Sequence, residues 1–107
     1  MDIISLIREM AIAGYPNFMG TFNPKGSYTI RFIGPDGDPD KNAIDITKKC
    51  KDNFISYEIV IIDDNGETIT SGPLTIDNFF MLYVKVIEKI VNKDISLSGL
   101  ILKPSKN

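Results

Sequence analysis

Two hydrophobic periods divide this chain. At the start, Ile3, Ile7, Met10 and Ala11 recur at the three- to four-residue spacing that gathers side chains on one helix face, while Ser5, Arg8 and Glu9 fall on another. Asp2 is suited to cap such a helix, and Gly14 and Pro16 stand where it would stop, so a helix is predicted over about 2–13. Tyr15 to Lys25 holds two prolines and two asparagines around Phe18, Met19 and Phe22. It reads as an irregular connection with room for a short strand, its apolar side chains covering one end of the core. From Ser27 the period becomes two: Tyr28, Ile30 and Phe32 point one way and Thr29 and Arg31 the other, until Gly34-Pro35 ends the strand.

The stretch from Gly34 to Asn42 is the most turn-rich of the chain and is predicted to be an exposed loop. Ala43 to Asp52 carries two readings. Ile44 and Ile46 alternate as in an edge strand, whereas Ala43, Ile46, Thr47 and Cys50 would line a short helix capped by Asp40 or Asn42; both leave Cys50 partly buried. Phe54 to Ile62 alternates with many β-branched residues, Asp63-Asp64-Asn65-Gly66-Glu67 makes a tight turn, and Thr68 to Ser71 runs back. The Asn65-Gly66 pair suits the positive φ angles of a primed turn.

Pro73 ends the return strand, and Thr75 or Asp77 caps a second helix over about 76–92. Its apolar arc, Ile76, Phe79, Phe80, Tyr83, Val86, Ile87, Ile90 and Val91 with Leu82 and Val84 on the flanks, spans roughly 200°. Met81, Lys85, Glu88 and Asn92 are left facing solvent. So broad a stripe packs on a sheet and is flanked by the first helix or the tail; the alternative is a homodimer or partner surface. Ile95 to Lys103 reads as an added edge strand before Pro104. The whole predicts one α+β domain over 1–107: an antiparallel sheet of three to five strands, with an N-terminal helix and a long C-terminal helix on one face.

Composition narrows the chemistry. The chain has no histidine, no tryptophan and one cysteine, Cys50. Near-neutral proton transfer and the Ser/His, Cys/His and catalytic zinc constellations lean on histidine, so a non-enzyme is expected, without metal or cofactor. A lone cysteine suits a reducing compartment, Arg8 and Glu9 interrupt the one leader-like run, and no apolar run approaches the ~20 residues of a membrane span; a cytoplasmic protein is expected. Twelve basic against 14 acidic residues give a net charge of −2, which argues against direct nucleic-acid binding and leaves a protein partner.

Three groups of residues invite a function. Asp36, Asp38, Asp40 and Asn42 have the odd spacing of a calcium loop, but counting from Asp36 the sixth position is Lys41 rather than glycine and the twelfth is Thr47 rather than a bidentate carboxylate. Their carboxylates remain candidates for partner contact. Asp63, Asp64, Asn65 and Glu67 form an acidic hairpin tip that turn chemistry alone explains, or that presents carboxylates to a basic cleft of another protein. As exposed turn residues, the three acids are expected to contribute only about 0.5 kcal/mol each to stability. Cys50 could act as a nucleophile only with Lys48, Lys49 or Lys51 to activate it, and an inert half-buried thiol is the plainer reading.

The order of these features, Met1-Asp2-Ile3 leading to Leu6-Ile7-Arg8-Glu9, then antiparallel strands with an acidic Asn-Gly tip, then an apolar helix, resembles the small phage-encoded anti-CRISPR proteins that inhibit Cas9. The resemblance implies a non-catalytic inhibitor that occupies the protospacer-adjacent-motif site of a CRISPR effector nuclease, with carboxylates in place of DNA phosphates. It falls on Asp63, Asp64, Asn65 and Glu67. Pro35 to Asp52 is an extra segment relative to that pattern, and lysines stand near the end where the pattern has an acidic helix. A toxin-immunity protein acting through the same acidic tip, and a small-ligand module using Tyr, Lys and carboxylates, are the other readings.

Overall fold

The computed structural model describes residues 2–92. Helix α1 (Ile3–Ile12) is followed by a five-stranded antiparallel meander, β1 (Asn17–Phe22), β2 (Tyr28–Ile33), β3 (Ala43–Lys51), β4 (Phe54–Ile62) and β5 (Thr68–Thr70), and by helix α2 (Ile76–Val91). This is the α+β architecture expected. The candidate edge strand at Ile95 to Lys103 lies outside the described residues.

Each helix starts where a side chain satisfies its first free N–H groups. Asp2 Oδ1 accepts from the Ser5 N–H at 2.9 Å, which holds the Asp2 carboxyl below its ordinary range, and Thr75 caps α2 by accepting from the Asn78 N–H. One sheet face carries Tyr28, Ile30 and Phe32 beside Ile44 and Ile46 and then Tyr57, Ile59 and Ile61, in a register where Ile30, Ile46 and Ile59 sit side by side. All are buried, and Leu6 and Met10 of α1 with Phe79, Tyr83 and Val86 of α2 close the core over them. The Tyr83 hydroxyl donates to Glu9 Oε1 at 2.9 Å and so ties the helices together. Burial first, then that bond, push the phenol's pKa upward.

Several expectations need correction. Asn17–Phe22 is a full strand, because pairing with β2 supplies the backbone partners its sequence pattern did not advertise. Phe18 does lie against the buried ring of Phe32, at 6.1 Å between centroids, but Phe18, Met19 and Phe22 are all largely exposed. Ala43–Lys51 is strand and not helix: paired on both sides, it buries Ile44 and Ile46 by alternation. Leu6, absent from the predicted helix face, is fully buried. The buried side of α2 is narrower than its sequence suggests, with Phe80, Val84 and Val91 exposed, since one sheet face and one neighbouring helix cover only the side centred on Phe79, Tyr83 and Val86.

Tyr28 carries an internal cost. Its ring is buried, and among the described residues its hydroxyl has no hydrogen-bond partner. Burial pushes its pKa up to about 12. A raised phenol pKa means stability that is present below the ordinary value near 10 and lost as pH rises towards 12, because the unfolded chain ionises first. Tyr28→Phe is therefore expected to raise stability by about 1 kcal/mol at pH 7, since it removes an unpaired buried hydroxyl. Its advantage should widen above pH 10. Urea titrations of both proteins at pH 7 and pH 10.5 check both parts.

Candidate functional site

In an antiparallel meander, alternate connections share one end of the sheet. The loop 34–42 joining β2 to β3 and the turn 63–67 joining β4 to β5 are such a pair, and here they touch. The Asn42 N–H donates to the Asp63 carbonyl at 3.1 Å, and a Cβ on Gly66 would lie 3.5 Å from the Asp40 carbonyl oxygen. Two acidic segments that the sequence reads separately thus form one acidic end: Asp36, Asp38, Asp40, Asp63, Asp64 and Glu67, with Lys41 among them. Lys25, Lys49 and Lys51 lie at the other end, on or beside the β1–β2 and β3–β4 turns, with Asp52 among them. A near-balanced net charge conceals this separation.

The loop is held by its own polar groups. Asp36 accepts from the Asp38 N–H at 3.1 Å and from Asn42 Nδ2 at 2.8 Å; the Asn42 bond chiefly, then the Asp38 N–H, lower its pKa. Asp38 in turn accepts from the Asp40 N–H at 2.8 Å. Arg31 anchors the middle, donating through Nη1 to the Pro39 carbonyl at 3.1 Å while Nε and Nη2 grip Asp45 at 2.7 and 2.9 Å. Arg31 and Asp45 face each other across β2 and β3 on the sheet face away from the helices, so the bond to Pro39 draws the loop towards that face, on which Ala43 and Ile62 are also buried. This pairing escaped the sequence reading. Its signal was present: both residues occupy outward positions of their strands' alternation.

The hairpin turn differs from the one expected. Only Gly66 has positive φ, at +81°, and Asn65 does not. The Gly66 N–H donates to the Asp63 carbonyl and the Asp63 N–H to the Glu67 carbonyl, the pattern of a type I turn closed by a glycine bulge. Asp63 Oδ1 accepts from the N–H groups of both Asn65 and Glu67, at 2.9 and 2.8 Å. Asp63 is thus a turn-former, and its expected minor contribution to stability is revised upward. Asp63→Ala is expected to cost about 1–2 kcal/mol, against less than about 0.5 kcal/mol for Asp64→Ala or Glu67→Ala. Thermal unfolding of the three variants in parallel measures the contrast.

The seven candidate residues therefore divide. Asp36, Asp38 and Asp63 build the two connections, while Asp40, Asp64 and Glu67 are exposed and, among the described residues, their carboxylates engage in no hydrogen bond or salt bridge. Asn65 is exposed at the tip. No family model, curated protein or solved structure matches the chain.

Other possible sites are less developed. Among the described residues no three His, Cys, Asp or Glu side chains converge as metal ligands. An open groove of about 320 Å³ lies near the basic end of the sheet, lined by Thr21, Thr29, Thr47 and Lys49 with Asn23 and Ser27, and no carboxylate of the described residues lines it. Cys50 is half-buried, its N–H donating to Ser27 Oγ at 2.9 Å. No helix of the described residues is long and apolar enough to cross a membrane.

Proposed function

We propose that the protein is a non-catalytic, protein-binding inhibitor whose acidic end enters a basic, nucleic-acid-binding cleft of its partner. The observation that carries this reading is the junction of the two acidic connections through the Asn42–Asp63 hydrogen bond, with the carboxylates of Asp40, Asp64 and Glu67 exposed on those connections and making no hydrogen bond among the described residues. A backbone fixed in advance loses little freedom on docking, and the field of the carboxylates it carries speeds encounter with a positive surface. The scaffold is well suited to hold them, because Arg31, Asp45 and the Asx-type bonds fix the loop before any partner arrives.

The resemblance to anti-CRISPR proteins names the first partner to examine, a guide-loaded Cas9-type effector nuclease, with a cytoplasmic site of action. The decisive assay is cleavage of a target duplex by that effector with increasing amounts of the purified chain. Inhibition that weakens as duplex carrying the adjacent motif is added supports the reading. Undiminished cleavage at a large excess of the chain rejects this partner.

A further inference from the structure

Among the described residues, strand β1 is an edge that lacks the usual protections. Within them it pairs only with β2, one residue for one without a bulge, and over its six residues it carries no charge and no proline. Exposed edges are ordinarily shortened, charged, kinked or covered, because their free backbone groups recruit other strands. The opposite edge obeys that rule, since β5 has only three residues. On β1, by contrast, Phe18, Met19 and Phe22 are 41%, 53% and 55% exposed.

The direction of the free backbone groups follows from the ladder. The Asn23 N–H donates inward to the Ser27 carbonyl, so by strict alternation Phe22, Gly20 and Phe18 turn their N–H and C=O groups outward. These three positions are symmetric about Gly20. If a second copy of β1 lies antiparallel with its twofold axis at Gly20, Phe18 meets Phe22 of the other copy, Gly20 meets Gly20, and every outward residue exchanges both backbone bonds with its counterpart. Side chains agree with that register. Gly20 admits no side chain, since a Cβ there would lie 2.6 Å from the Thr29 carbonyl oxygen, and the gap it leaves is straddled by an aromatic pair on each side. No like charges are brought opposite each other.

We propose that the chain self-associates through β1, joining two five-stranded sheets into one continuous sheet across a twofold axis at Gly20. The palindromic Phe-x-Gly-x-Phe pattern favours a second copy over an unrelated strand. The strand edge and its apolar side chains would bury roughly 800 Å² in total, below the range of stable interfaces, so the dimer is a weak, reversible one. The acidic end takes no part, and the test is independent of the proposed inhibitory partner.

Sedimentation velocity of the full chain from about 10 µM to about 1 mM tests it. The wild type is expected to move from monomer to dimer. In the register above, Met19 lies opposite Thr21 of the other copy, both on the sheet face away from the helices. M19K/T21K sets lysine against lysine twice and should hold the protein monomeric throughout. M19K/T21E sets lysine against glutamate and should restore the dimer, a rescue that general loss of apolar surface cannot produce. A wild type monomeric at 1 mM overturns the proposal. So does a dimer unaffected by M19K/T21K but lost in V84K on the exposed stripe of α2, or a monomeric M19K/T21E whose circular dichroism matches the wild type.

Discussion

Phe79→Ala should remove about 3–5 kcal/mol of stability, more than either Asp63→Ala or any change at the exposed acids. Phe79 is fully buried and stands at the centre of the aromatic contacts between α2 and the sheet: its ring stacks on Tyr57 at 4.4 Å between centroids and on Tyr83 at 5.6 Å. Truncation forfeits the transfer energy of the ring and leaves a cavity that neither neighbour can fill, since Tyr57 is fixed in the β4 ladder and Tyr83 is held by Glu9. In a domain whose total stability is typically 5–15 kcal/mol, that loss lowers the urea midpoint by roughly 2–3 M. Val84→Ala, on the exposed side of the same helix, should change it by less than about 0.5 M. Equal effects at the two positions would mean that α2 is not seated as described.

The second large effect concerns binding alone. Replacing Asp40, Asp64 and Glu67 by their amides removes three negative charges at nearly constant shape, from exposed residues whose carboxylates make no hydrogen bond among the described residues, Asp40 contributing only to the field at Arg31. At about 1 kcal/mol for each charge placed against a basic cleft, affinity for the effector should fall on the order of 100-fold while folding stability stays within about 0.5 kcal/mol. The matching change at the other end, Lys49→Met with Lys51→Met, should leave affinity within about threefold. Asp63 is excluded from the triple variant because its carboxylate closes the turn. Its removal would confound a lost contact with a loosened loop.

Residue by residue, the sequence was most informative where pattern and chemistry agree. Alternation in Tyr28–Phe32 and Phe54–Ile62, a glycine turn, and capping residues at Asp2 and Thr75 each fix an element locally, and these appear where expected. What was hidden depends on partners distant in sequence. Asn17–Phe22 becomes a strand only because β2 is beside it, and the helical alternative for Ala43–Lys51 disappears only when strands bind both of its edges. The candidate acids were legible as two groups; that they form one end follows from the meander, in which connections two strands apart share a side. Local composition also could not tell Asp63, consumed by its own turn, from Asp64 beside it.

The affinity of the purified chain for a guide-loaded Cas9-type effector, measured by calorimetry across a salt series for the wild type and the D40N/D64N/E67Q variant, bears most directly on the acidic end as a docking surface. Wild-type affinity should weaken steadily with salt, and the variant should bind about 100-fold more weakly at low salt with a visibly flatter salt dependence. Absence of binding, or equal affinity and equal salt dependence for the two proteins, would contradict it.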